Sequence, residues 1–133
     1  MRQPLYHGIL VDVAFTSREF PRTFPLFAYK KAGEWGLYGI QVARKDLETA
    51  IQSIRGAMRA DAPFYAHLYD DEQVIVIFKE RVFRVTSHAS RWDELRRYGL
   101  TLGIPLVQLD LWPNRFQDEI HYFTERDFLV PPA

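Results

Sequence analysis

A chain of 133 residues with 47% hydrophobic and 26% charged side chains is long enough for one domain with its own core and too apolar for intrinsic disorder. Seventeen basic side chains balance seventeen acidic ones, so the Lys and Arg excess on which nucleic-acid affinity usually rests is missing, and a nucleic-acid partner is not expected. The absence of cysteine excludes disulfides, thiol catalysis and cysteine-bound zinc, and agrees with a reducing cytoplasm.

The first strand is predicted over Tyr6 to Phe15, where Ile9, Val11, Val13 and Phe15 alternate with Leu10, Asp12 and Ala14. Asp12 interrupts this apolar run, which fits neither an export signal nor a membrane helix. The uncharged stretch from Tyr98 to Leu109 is likewise broken, by Gly99, Gly103 and Pro105. A soluble, cytoplasmic protein with no membrane partner is therefore expected. Residues 16–23 read as a loop, with Pro21 and Pro25 opposing regular structure. A β-hairpin is predicted over Leu26 to Ala43, turning at Lys30 to Glu34 where Gly33 is free to adopt a positive φ. Gly36 and Gly39 in its second arm suggest a bulge or a close backbone approach.

Leu47, Ala50, Ile51, Ile54, Ala57 and Met58 have the spacing of one buried helical stripe, with Asp46 placed to cap the amino terminus. A second hairpin follows. Two β-prone runs, Phe64 to Tyr69 and Val74 to Phe78, flank the polar turn Asp70-Asp71-Glu72-Gln73, and this pair is expected at the centre of the sheet. Beyond it, Val82 to Thr86 is either a further strand turned at Lys79-Glu80 or a continuation of the same one. A second helix is predicted from Ser90 to Leu102, with Gly103 and Pro105 as its stop. Leu106 to Trp112 is a short strand or turn; if extended, it places Val107, Leu109 and Leu111 on one face. Asn114 to Phe123 is read as a third helix with Phe116, Ile120 and Phe123 inward. The order implies an α+β fold, a mostly antiparallel sheet with two to three helices on one face, ferredoxin-like or a variant of it. Residues 1–123 form a single domain in this reading and 124–133 an irregular tail.

Candidate chemistry centres on His67. In strand register Tyr65, His67 and Tyr69 share a face, and an imidazole between two phenols suits a general base, a metal ligand or a packed polar anchor. Asp12 is the second candidate, because a carboxylate within an apolar strand needs a cation or donors close by; it either pairs with His67 across strands or guards a sheet edge. Asp70, Asp71 and Glu72 could present oxygens to a hard cation, but without the loop pattern of an EF-hand they read as a solvated turn. His7, His88 and His121 show no zinc-site spacing, and no phosphate-cradling glycine loop or nucleophile elbow occurs. Aromatics on the sheet could stack nucleic-acid bases, though the basic-glycine-aromatic signature for this is missing.

The leading expectation is a non-catalytic domain that binds a protein partner or itself as a homodimer. Aromatics make up 15% of the chain, and Phe116, Ile120, Phe123 and Phe128 supply a candidate interface. The alternative is an enzyme or metal-dependent small-molecule site built on His67 with Asp12, Tyr65 and Tyr69. No cofactor is implied by any motif.

Overall fold

The fold was obtained as a computed structural model that describes residues 5–86 and 92–130. The predicted Ser90 cap, His88 and the closing prolines lie outside the described residues.

Six strands make one open sheet: β1 (Leu5–Val11), β2 (Leu26–Ala32), β3 (Trp35–Ala43), β4 (Tyr65–Tyr69), β5 (Gln73–Phe78) and β6 (Val82–Thr86). Their order across the sheet is β2-β3-β1-β4-β5-β6, with every neighbouring pair antiparallel. Among the described residues three α-helices accompany it, α1 (Leu47–Ala57), α2 (Asp93–Thr101) and the single-turn α3 (Glu119–Tyr122). The α+β class is as the sequence implies. A ferredoxin-like arrangement is not confirmed, since the sheet has six strands.

The expected placement of the helices on one face needs correction. β1 and β4, not the β4–β5 hairpin, lie at the centre of the sheet. Both hairpin strands are nonetheless apolar in both directions: Leu68, Ile75 and Ile77 pack with α1, while Tyr69, Val74, Val76 and Phe78 pack on the opposite face with Trp92, Leu95 and the chain after α2. A sheet that is apolar on both faces must be covered on both. One core therefore lies beneath Leu47, Ala50, Ile51 and Ile54 of α1, on the buried stripe the spacing predicts. The other lies beneath the carboxy-terminal half.

Several turns follow local chemistry. Gly33 takes φ 64 between β2 and β3. The β2–β3 register shifts between Leu26 and Ala28, opposite Gly39, where a Cβ would meet the Phe27 ring at 2.7 Å. The junction at Lys79-Glu80 is a tight turn closed by Phe78 N–H to the Arg81 carbonyl at 2.8 Å, so β6 is a separate strand. Gly103, at φ 90, ends α2; its N–H bonds Leu100 at 3.0 Å and that of Ile104 bonds Gly99 at 3.1 Å, the paired reverse contacts of a Schellman cap. Asp46 precedes α1 but makes no side-chain capping bond.

Three segments depart from expectation. β1 stops at Val11, and Asp12–Ala14 forms a 3-10 turn that rotates Phe15 onto the same core as Leu10. Leu106–Gln108 is a 3-10 turn, so Val107 is exposed while Leu109 and Leu111 are buried. The predicted third helix shortens to a 3-10 turn at Phe116–Asp118 leading into α3, which leaves Ile120 exposed rather than inward. In the tail, Glu125–Asp127 forms a capped 3-10 turn and Phe128 bridges Ala28 on the edge strand.

The pairing of β1 with β4 is sterically demanding at Gly8, which is registered against Leu68. A Cβ at Gly8 would lie 2.2 Å from Leu68 Cδ2 and 2.9 Å from the His67 carbonyl oxygen. The carbonyl cannot move without breaking the ladder, so Gly8→Ala is expected to remove about 1–3 kcal/mol of stability. Urea unfolding should show a lower midpoint at unchanged slope; an unaltered midpoint would refute the close approach.

A cleft over the central strands

The face of the sheet away from α1 carries the candidate site. Odd-numbered residues of β1, β3 and β4 point there, which sets Ile9, Leu37, Tyr65 and His67 side by side. The chain following α2 crosses above them and contributes Val107, Gln108, Asp110 and Trp112, with Tyr122 of α3 alongside and Trp35 at the start of β3. Between sheet and crossing chain lies a cleft of about 390 Å³. That is within the usual size of small-molecule sites.

Polar pins hold the crossing chain in place. His67 Nε2 lies 2.6 Å from the Pro113 carbonyl oxygen. A carbonyl can only accept, so the proton sits on Nε2 and Nδ1 is the bare acceptor of a neutral ring. Burial holds His67 down to about 4, a shift that the Pro113 carbonyl and the Asp110 carboxylate only partly oppose. Tyr65 donates its hydroxyl to the Gln108 carbonyl. Burial raises its pKa, and Asp110 adds to the effect. Tyr122 is pushed up to about 12, by burial first and then by Asp110. The Asp110 carboxylate therefore acts on Tyr65, His67 and Tyr122 together.

Of the residues singled out from sequence, Tyr65, His67 and Tyr69 do share a face, with ring centroids 6.3 Å apart for the first pair and 5.8 Å for the second. Tyr69, however, is fully buried and turned to Glu119, while Tyr65 and His67 line the cleft. Asp12 is not brought to His67. It accepts from the Gly36 N–H at 3.0 Å and from Arg18 Nη2 at 3.2 Å, and the residue registered against His67 is Ile9.

The chain matches no family model, no curated protein and no solved structure. Its chemistry therefore has to be read from its own geometry.

The acidic hairpin tip is a clasp. Asp70, completely buried, accepts from the N–H groups of Glu72 at 3.1 Å and Gln73 at 2.8 Å and from Arg44 at 2.9 Å. Asp71, at φ 79, receives the Phe116 N–H at 2.7 Å and so tethers the carboxy-terminal segment. Among the described residues no group of three His, Asp or Glu side chains is arranged to hold a metal ion. None of the described helices is long and apolar enough to cross a membrane.

The candidate interface residues serve largely within the chain. Phe123 is buried against Phe27 at 5.7 Å, Phe128 packs 5.8 Å from Phe123, and Phe116 stacks on His7 at 4.2 Å.

That last contact belongs to a buried constellation with no sequence signature. His7 is sandwiched between Phe116 and Phe27, the latter at 4.0 Å, and its Nδ1 lies 2.7 Å from Glu119 Oε2. Tyr69 donates its hydroxyl to the same oxygen over 2.5 Å. Alternation along β1 places His7 on the face of Ile9, but its carboxylate partner lies 112 residues away and follows no spacing rule.

Proposed function

We propose that this protein is a non-catalytic binding domain that takes a small, largely apolar ligand into the cleft above His67. The observation that carries the reading is the apolar mouth: Trp35 is 43% exposed, Trp112 38% and Val107 81%, all around one concavity with a few convergent polar groups. Large apolar side chains held at a cleft mouth gain by being covered. The state of His67 supports binding over proton transfer. An imidazole that titrates at about 4 and donates to a carbonyl is poorly matched to general-base work near neutrality. Its role is to fix the roof of the cleft.

The test is a screen of small apolar and amphipathic compounds by thermal unfolding, with Trp112→Ala beside the wild type. A compound present at about a hundred times its dissociation constant adds roughly 2.7 kcal/mol and raises the midpoint visibly. Shifts that disappear in Trp112→Ala are expected. Shifts that persist in the variant would place binding elsewhere.

A second reading, docking on a protein partner or on another copy, has its observation in the exposed Ile120, Leu129 and Val130. A monomeric mass in solution at micromolar concentration would remove self-association.

A further inference from the structure

We infer that the ligand taken by this cleft is an organic cation, an ammonium group attached to an apolar body, held by Asp110 and the surrounding aromatic rings. The inference rests on the binding reading just given and adds the chemical class of the ligand. Three parts of the chain supply the recognition. Trp35 comes from the start of β3, Tyr65 from β4, and Asp110 and Trp112 from the crossing segment. Indole is the strongest cation-binding ring among the side chains, and a cage of such rings beside a carboxylate is the usual protein answer to an alkylated ammonium ion.

Charge selects the cation over other ligands. Among the described residues no lysine or arginine lines the cleft, and Asp110 is its one acidic side chain. His67 on the floor stays neutral and adds no competing positive charge. Asp110 is exposed at the cleft, and its Oδ1 accepts the Trp112 N–H at 3.3 Å. An anion entering the cleft would meet this carboxylate directly. A neutral apolar ligand would strip water from it and return nothing. A metal ion would find one carboxylate where it needs several oxygens.

Lys30 is the nearest cation of the chain itself. Its ammonium lies 3.7 Å from the Tyr122 ring centroid and donates to the Tyr122 carbonyl at 2.7 Å. It is not a wall of the cleft, and it leaves Trp35, Tyr65 and Trp112 to the ligand. Tyr122 thus already carries an ammonium ion from within the chain.

Intrinsic fluorescence of the full chain reads the site directly. Two of the three tryptophans line the cleft, while Trp92 is buried and bonded to the Thr86 carbonyl at 2.9 Å. The probes are phenyltrimethylammonium, choline, the uncharged choline isostere 3,3-dimethylbutan-1-ol, and benzoate. Both cations are expected to change the signal saturably, with choline bound about five- to tenfold more tightly than its isostere. Asp110→Asn should abolish that preference by weakening choline, without weakening the isostere. Equal binding of choline and isostere, or tighter binding of benzoate, would overturn the cation assignment while the cleft remained a binding site. Failure of both cations to perturb the spectrum would overturn the cation assignment, while the binding reading is decided by the thermal-unfolding screen.

Discussion

Acidification from pH 6.5 to pH 4 is expected to remove roughly 3 kcal/mol of stability through His67 alone. In the folded chain this ring titrates at about 4, against an ordinary value of 6.5. Burial is the main cause; the Pro113 carbonyl and Asp110 pull the other way and are outweighed. The sign follows from proton binding. Below pH 6.5 the unfolded chain takes up a proton on this imidazole that the folded chain refuses, so acid favours unfolding until the folded ring also titrates, near pH 4. Other acids titrate in the same range, so the diagnostic quantity is the difference between wild type and His67→Gln. The glutamine amide can still donate to the Pro113 carbonyl but carries no titrating group. Urea unfolding across this range should give a flatter curve for the variant by roughly the same 3 kcal/mol. Parallel curves would mean that the ring is not held neutral by burial. Protonation falls on Nδ1 and leaves the Nε2 bond to Pro113 in place, so the positive charge it adds to the cleft floor is what should weaken binding of a cationic ligand in acid.

Legibility in the sequence tracked how local each interaction is. The stripe of α1 and the hairpin of β4 and β5 depend on neighbours in the chain, so periodicity and turn residues declare them. Val74 to Phe78 also held the signal that corrects the one-sided helix layout. Five apolar residues without alternation describe a strand buried on both faces, and such a strand requires cover above and below. The crossing segment was unreadable for the opposite reason. Leu106 to Trp112 carries an alternating pattern that suggests an extended strand, yet Leu111 sits at φ 50 and Val107 lies outside, because sheet contacts rather than propensity shape it. His67 could be placed on its face from strand register, but Trp35, Asp110 and Trp112 come together only once that segment folds across the sheet.

Glu119 marks the farthest reach of this effect and gives the other large prediction. Nothing in the short helix around it advertises a buried carboxylate, since its partners His7 and Tyr69 lie on two strands. Removing it strands both. Glu119→Ala is expected to lose about 2–4 kcal/mol, since it removes the hydrogen-bond partner of two side chains and each unsatisfied buried group costs about 1–3 kcal/mol. Glu119→Gln keeps an acceptor and should lose less, about 1–2 kcal/mol. Tyr69 allows the origin of the loss to be separated. If most of it comes from the orphaned phenol, Tyr69→Phe in the Glu119→Ala background should be nearly neutral or stabilising, although the same change in wild type is destabilising. The expected coupling in that double-mutant cycle is about 1–3 kcal/mol. Additive losses, or a Glu119→Ala variant within 1 kcal/mol of wild type, would show that the aromatic stack of Phe27, His7 and Phe116 fastens the carboxy-terminal segment without the carboxylate. The two outcomes differ for the cleft as well. Glu119 anchors the turn that carries Tyr122, so a variant that loosens it should also lose affinity for whatever the cleft binds, without touching any residue that contacts the ligand.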